Sequence, residues 1–191
     1  MRVLVVDESP ERAELLRAGL LGAGHEVTAT LSSPLALLET IEQLKPDVIV
    51  IDTESPSRDV LEHLVFVSQH TPRPVVMFAR DGAPETIRAA TRAGVSAYVV
   101  DGLDKNRIEA IIEAAVARFD QYQSLRAQLA EANLKLSERK LVERAKGLLM
   151  KSRGLDEDAA YSVLRKMAMD RKLKLAEVAQ RVVDAADLLG A

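Results

Sequence analysis

Five short apolar runs, Val3–Val6, Val27–Thr30, Val48–Ile51, Val75–Phe78 and Ala97–Val100, recur through the first half of the chain. They are rich in β-branched residues and do not alternate with polar ones, which suits strands covered on both faces of a parallel sheet. Between them lie Glu11–Leu21, Pro34–Leu44, Val60–Gln69 and Pro84–Ala93, each with apolar residues three and four apart. Leu37, Leu38, Ile41 and Leu44 show this helical spacing well. Strand alternating with helix five times predicts a doubly wound α/β domain. In such sheets, function sits beyond the C-terminal ends of the strands.

The pattern then changes. Asp104 is a predicted N-cap, and neither Gly nor Pro occurs from Lys105 to Lys146, so one long helix is expected. Ile108, Ala115, Tyr122, Leu129 and Leu136 recur every seven residues, and Ile111, Leu125 and Ala132 fall three residues after members of that row. This is a heptad seam broken at Arg118, with Phe119 beside the break. It fits a homodimeric coiled coil or a helix folded back on its own chain. The narrow seam with polar flanks favours the dimer.

Further on, Leu141, Ala145, Leu148 and Leu149 form an apolar stripe, with Lys140, Arg144, Gly147 and Lys151 within about 60° on another face at 100° per residue. Gly147 sits mid-helix at a cost of about 1 kcal/mol relative to Ala. A close approach there, by a partner helix or a phosphate backbone, would account for it. Gly154 ends this helix and Asp156 caps the next. A second stripe holds Ala160, Val163, Leu164, Met167 and Ala168, and a third Leu175, Val178, Ala179, Val182, Val183 and Ala186. A three-helix module follows, with Met150, Met167 and Met169 read as core filler.

Charge and composition narrow the function classes. The net charge of −3 hides an acidic front, 9 Lys/Arg against 16 Asp/Glu in Met1–Asp104, and a basic back, 11 against 6 in Ser137–Lys174. An anionic partner for the back end follows, against the plainer reading of a solvated face. With no Cys, disulfides and thiolate metal sites are excluded. His25, His63 and His70 lack metal-ligand spacing and read as surface or loop. No Trp and three each of Phe and Tyr leave few stacking platforms. The chain opens directly on a strand and has no run of transmembrane length, so a cytoplasmic protein without membrane contact is expected. No nucleophile–base pair or nucleotide loop suggests an enzyme.

Asp7 and Glu8 follow the first strand and Asp52 the third, and carboxylates so placed could hold Mg²⁺ and offer an aspartate to a phosphoryl donor. Val3–Glu8 and Asp47–Pro56, with Pro56 four residues after Asp52, resemble the receiver domain of bacterial response regulators. The resemblance implies a flavodoxin-like five-stranded parallel sheet and puts Asp52 at the phosphoacceptor position. Two departures stand out. Ala79 lies where receivers carry Thr or Ser at the end of the fourth strand, and Asp101 where they carry Lys after the fifth. A carboxylate in place of an ammonium adds repulsion to an acidic site. A receiver fold kept as a docking module is therefore favoured over phosphorylation-driven switching.

The segments Glu143–Met150, Gly154, Asp156–Glu157, Ala159–Ala160, Leu164–Met169 and Val178–Ala179 resemble the ANTAR domain, a family of RNA-binding transcription antiterminators. Three regions are thus expected: a receiver-like domain at 1–104, a helix and coiled-coil linker at 105–136, and a small all-α three-helix ANTAR domain at 137–191. Ser96–Leu103 most resembles the NasT group, antiterminators of nitrate and nitrite assimilation. These resemblances imply binding to paired stem-loops in leader mRNA, which prevents a terminator from forming, and sequestration by an inhibitory nitrate/nitrite-sensing protein until ligand releases the antiterminator. Lys140, Arg144, Lys146, Lys151, Arg165, Lys166, Arg171, Lys172 and Lys174 are the candidate RNA contacts, with Arg144 and Arg165 as readers of loop bases and Tyr161 as a lesser stacking candidate. Rival readings are a phosphorylation-controlled ANTAR regulator of amide or other nutrient use, a DNA-binding response regulator, and an adaptor whose basic face meets an acidic protein.

Overall fold

The computed structural model describes residues 1–101 and 107–189. The expected cap at Asp104 lies outside them. Five strands, β1 (Arg2–Asp7), β2 (Glu26–Leu31), β3 (Val48–Thr53), β4 (Val75–Ala79) and β5 (Ala97–Val100), form one sheet in the order β2-β1-β3-β4-β5. Every neighbouring pair is parallel. Four helices alternate with the strands: α1 (Pro10–Gly22), α2 (Leu37–Leu44) after a single 3-10 turn at Pro34–Ala36, α3 (Arg58–His70) and α4 (Pro84–Arg92). The runs expected from the sequence lie within β1–β5. The lack of alternation is explained where both faces are covered: β1, β3 and β4 are buried throughout most of their length, whereas the edge strands β2 and β5 are half-exposed.

The two faces of the sheet carry separate cores. Leu4, Val6, Ile49, Ile51 and Met77 point to one side and pack with Leu37, Ile41, Leu64 and Ala90 of α2–α4. Val3, Val5, Val48, Val50, Val76 and Phe78 point to the other, against Leu16 and Leu20 of α1. Each fully buried aliphatic side chain contributes about 1.5–3 kcal/mol. Packing between helices is close enough to demand a glycine at one point. Gly94 has φ +101°, and a Cβ there would lie 2.8 Å from Ser68 Cβ.

The chain divides into two units, Met1–Gln123 and Ser124–Ala191. Helix α5 (Ile108–Arg153) is unbroken and contributes to both. Its first turns correct the expected seam. Ile108 and Ala115 are buried with Ile112 in the core formed by β1, β3, β4 and α1, and Ile111 packs against that core. Residues 108, 112 and 115 follow the three-and-four spacing of a helix lying on a sheet, and a heptad row counted every seven residues shares those positions. Tyr122, Leu125, Leu129 and Leu136 remain 52–62% exposed, and Ala132 is exposed as well.

The second unit packs the C-terminal part of α5 with α6 (Glu157–Arg171) and α7 (Leu175–Leu189). Ala145, Leu149, Ala160, Leu164, Ala168, Val178, Ala179 and Val183 form its core, with Leu141, Val163, Met167, Leu175 and Val182 around it. Asp156 caps α6 as expected, its Oδ1 accepting from Ala159 N at 2.7 Å. Gly154, with φ +64°, ends α5. Met150 (38% exposed) and Met169 (69%) do not fill this core, which small side chains already close; of the three, Met167 alone packs against it.

Candidate nucleic-acid interface and acidic pocket

The parallel register brings Asp7 beside Asp52 at the C-terminal ends of β1 and β3. Asp7 is buried; its Oδ1 accepts from Ser9 N (2.8 Å), while Oδ2 is buried without a hydrogen-bond partner. Arg12, from the first turn of α1, places its guanidinium 3.3 Å from Asp7, 3.5 Å from Asp52 and 3.5 Å from Glu54. Burial, and then the Asp7 charge, push the Asp52 carboxyl up to about 6 against the lowering pull of Arg12. Glu8 is exposed, and among the described residues no three acidic or histidine side chains gather as a metal site. The expected Asp7–Glu8–Asp52 set is thus not gathered in this structure. Glu8 lies just beyond the end of β1, and the third group beside Asp7 and Asp52 is a cation, Arg12. The residues fit an acidic pair neutralised by Arg12 better than an Mg²⁺ site.

Ala79 ends β4 fully buried and offers no hydroxyl, and Asp101 follows β5 with φ +48° and an exposed side chain. The neighbouring loop is tied down. Asp81 accepts from Ala83 N (2.8 Å), Ser55 Oγ (2.9 Å) and Thr86 Oγ1 (2.9 Å), and the Tyr98 hydroxyl donates to the Asp81 carbonyl at 2.7 Å. The bonds from Ala83, Ser55 and Thr86 hold the Asp81 carboxyl below its ordinary range, the Ala83 amide first. Arg12, Glu54 and this Asp81 network escaped the sequence reading. The spacing of Arg12, five residues after Asp7 in the first helical turn, was the available signal for the first of them.

In the second unit most candidate cations are exposed: Lys140, Arg144, Lys151, Arg165, Lys166, Arg171, Lys172 and Lys174. Lys146 is not. It is buried, with its ammonium 2.8 Å from Glu143 and 2.7 Å from Glu157, which raise its pKa. Its expected role as an RNA contact is therefore corrected: it ties α5 to the start of α6. Arg144 also has a protein partner, Asp187 of α7 at 2.7 Å, but keeps an exposed side chain. Lys172 closes α6 in the left-handed conformation, φ +54°.

Two groupings stand out among the exposed cations. Lys140, Arg144 and Lys151 share one face of α5. Lys174 meets Arg139 and Lys135 of α5 and Tyr161 of α6 around an open groove of about 390 Å³ that Glu138 and Glu143 also line. Arg139 and Lys135 were not among the sequence candidates, because the groove exists only once three helices pack. Tyr161 is 43% exposed there, a ring available to a base.

Comparison with known proteins agrees with this division. The response regulator receiver domain model matches residues 3–113 and the ANTAR domain model residues 130–183. The transcriptional regulatory protein PdtaR of Mycobacterium tuberculosis is 30% identical over 187 residues, 96% of this chain and 89% of that protein. A nitrate regulatory protein of Klebsiella oxytoca is 38% identical over 81 residues, 42% of this chain but 19% of that protein. Among solved structures, the response regulator domain of Thermotoga maritima CheB is similar at 26% identity and TM-score 0.51, covering 63% of this chain and 96% of that one. The chain belongs to the response regulators that join a receiver domain to an ANTAR domain.

Proposed function

We propose that this chain is an RNA-binding transcription antiterminator acting on paired stem-loops of leader mRNA in nitrate and nitrite assimilation, with an inhibitory sensor protein controlling its release. The observation that carries the reading is the exposed basic surface on the ANTAR unit, where Lys140, Lys151, Arg165, Lys166, Arg171 and Lys174 have exposed side chains on a small packed core. RNA stem-loops are recognised by phosphate contacts together with splayed loop bases. The second unit offers cations for the first and the Tyr161 groove for the second.

Control by a protein follows from the acidic pocket. A phosphoryl group on Asp52 would meet Asp7 without a hydroxyl at position 79 or an ammonium at position 101. Receiver domains commonly hold Mg²⁺ at this pocket, and here Arg12 supplies the positive charge. A small phosphodonor is expected to leave the intact mass unchanged; a stoichiometric phosphoryl adduct on Asp52 would count against this reading.

Binding is tested with RNA hairpins and duplex DNA in one salt series. Hairpins are expected to bind more tightly, with affinity falling steeply as salt rises. Replacing Arg165 and Lys166 together by Ala should lower the magnitude of that slope by about 2, one per lost phosphate contact, with helicity unchanged. Equal affinity for DNA supports the DNA-binding rival, and no nucleic-acid affinity supports an acidic-protein adaptor. A second reading, a regulator of a different pathway, is favoured by the match to PdtaR, which spans nearly the whole chain. Terminator read-through that responds to nitrate only when the sensor is present separates the two.

A further inference from the structure

Gly147 sits in the interior of α5, six residues before its end, where glycine is the poorest choice short of proline. Nothing in the fold requires it. Its φ is not in the left-handed region, and a Cβ added there would meet no atom within 4 Å. The helix continues unbroken through it. Gly147 is exposed. An alanine would fit this space and favour the helix, so the residue is explained only by something outside the chain.

Its surroundings say what that is. Lys140, Arg144 and Lys151 lie seven and three residues before and four residues after Gly147, all on its own helical face. The apolar core of the unit, Ala145 and Leu149, lies on a different side of the helix. The neighbouring carboxylate, Glu143, is already paired with Lys146. Lys140 and Lys151 show no ion pair among the described residues, while Arg144 shares its charge with Asp187. A bare patch of backbone framed by cations suits a phosphodiester chain, whose oxygens can come closer over a missing side chain than over a methyl group.

A second copy of this helix is the competing occupant, and charge argues against it. A two-fold contact here would bring Lys140, Arg144 and Lys151 against the same three residues. The apolar row also stops at Leu136, and its continuation at Arg139, Glu143 and Lys146 is charged.

Resting on the RNA-binding reading above, we infer that an RNA phosphate backbone crosses α5 directly over Gly147, held by Lys140 and Lys151 on either side. Gly147→Ala should then separate stability from function. The thermal transition of the full-length protein is expected to rise by about 2–4 °C, while affinity for a pool of RNA stem-loops with randomised loops falls about tenfold. Lys140→Ala and Lys151→Ala should each lower the salt slope by about 1. Self-association should not change in any of them. Raised stability with undiminished RNA affinity overturns the inference. A loss of RNA affinity that tracks weakened self-association assigns the face to a second copy and also overturns it. Gly147→Ser supplies the same comparison should Gly147→Ala fail to fold. Failure of the unaltered protein to bind the pool sinks the broader reading, and this inference with it.

Discussion

Asp52 is the residue on which fold and chemistry pull in opposite directions. Its carboxyl titrates near 6 because burial and Asp7 disfavour the charge more than Arg12 favours it. Between the ordinary 3.8 and about 6 the folded chain therefore keeps a proton that the unfolded chain has released. Stability falls as pH rises through that window and does not recover above it. Asp52→Asn removes the penalty. It should stabilise the receiver unit by about 1–2 kcal/mol at pH 7 and by much less at pH 4. Urea denaturation at both values checks this, and equal effects at the two would show that Asp52 is not the strained group. Lys146 shows the reverse case, a charge in the basic run that is used internally. Opposite charge at Glu143 and Glu157 favours its ammonium even with little exposure. Its net charge read from sequence was right, and its availability was not, because Glu157 reaches it only across the α5–α6 junction. His25 is similar. It lies in the loop before β2, as expected, yet is buried, and burial lowers its pKa.

At the scale of elements, period carried most of the information. The β-branched runs, the three-and-four spacing of Leu37 and Ile41, and the capping Asp156 each act locally, so β1–β5, the helices between them and α6 could be placed without knowing the tertiary contacts. The heptad row could not be resolved that way. A helix on a sheet and a helix in a coiled coil both repeat apolar residues at three and four, and only the presence of the sheet assigns Ile108 and Ala115 to an internal core. The groove at Tyr161 was invisible for the same reason: Lys135, Tyr161 and Leu175 come from three helices, and Lys174 from the turn between the last two. The divided helix yields a paired prediction. Ile112→Ala, within the sheet core, should cost about 2–5 kcal/mol of receiver stability. Leu125→Glu with Leu129→Glu should leave that stability unchanged and, on the proposal that these exposed leucines pair two copies of the chain, weaken self-association by about a hundredfold. Sedimentation equilibrium measures the second effect. Unchanged association would mean that the exposed leucines serve some other contact.

For the whole molecule the question is what information the receiver passes to the basic unit. In a phosphorylation switch, the group added at the third strand is sensed by a hydroxyl on the fourth and an ammonium after the fifth. Here those positions are Ala79 and Asp101, and the loop between β4 and α4 is fastened through Asp81 to Ser55, Thr86 and Tyr98. On the proposed reading, a site without that hydroxyl and that ammonium gives a phosphoryl group little differential affinity with which to shift a conformational equilibrium. A partner protein can supply that differential instead, by binding one state of the chain. RNA affinity should therefore be indifferent to the chemistry of position 52. Asp52→Asn and Asp52→Glu are both expected to bind hairpins within about twofold of the unaltered chain, with or without a small phosphodonor. A purified inhibitory sensor should lower the affinity of all three equally. An RNA affinity that rises for Asp52→Glu alone, or with phosphodonor, would restore the phosphorylation switch and remove the need for the sensor.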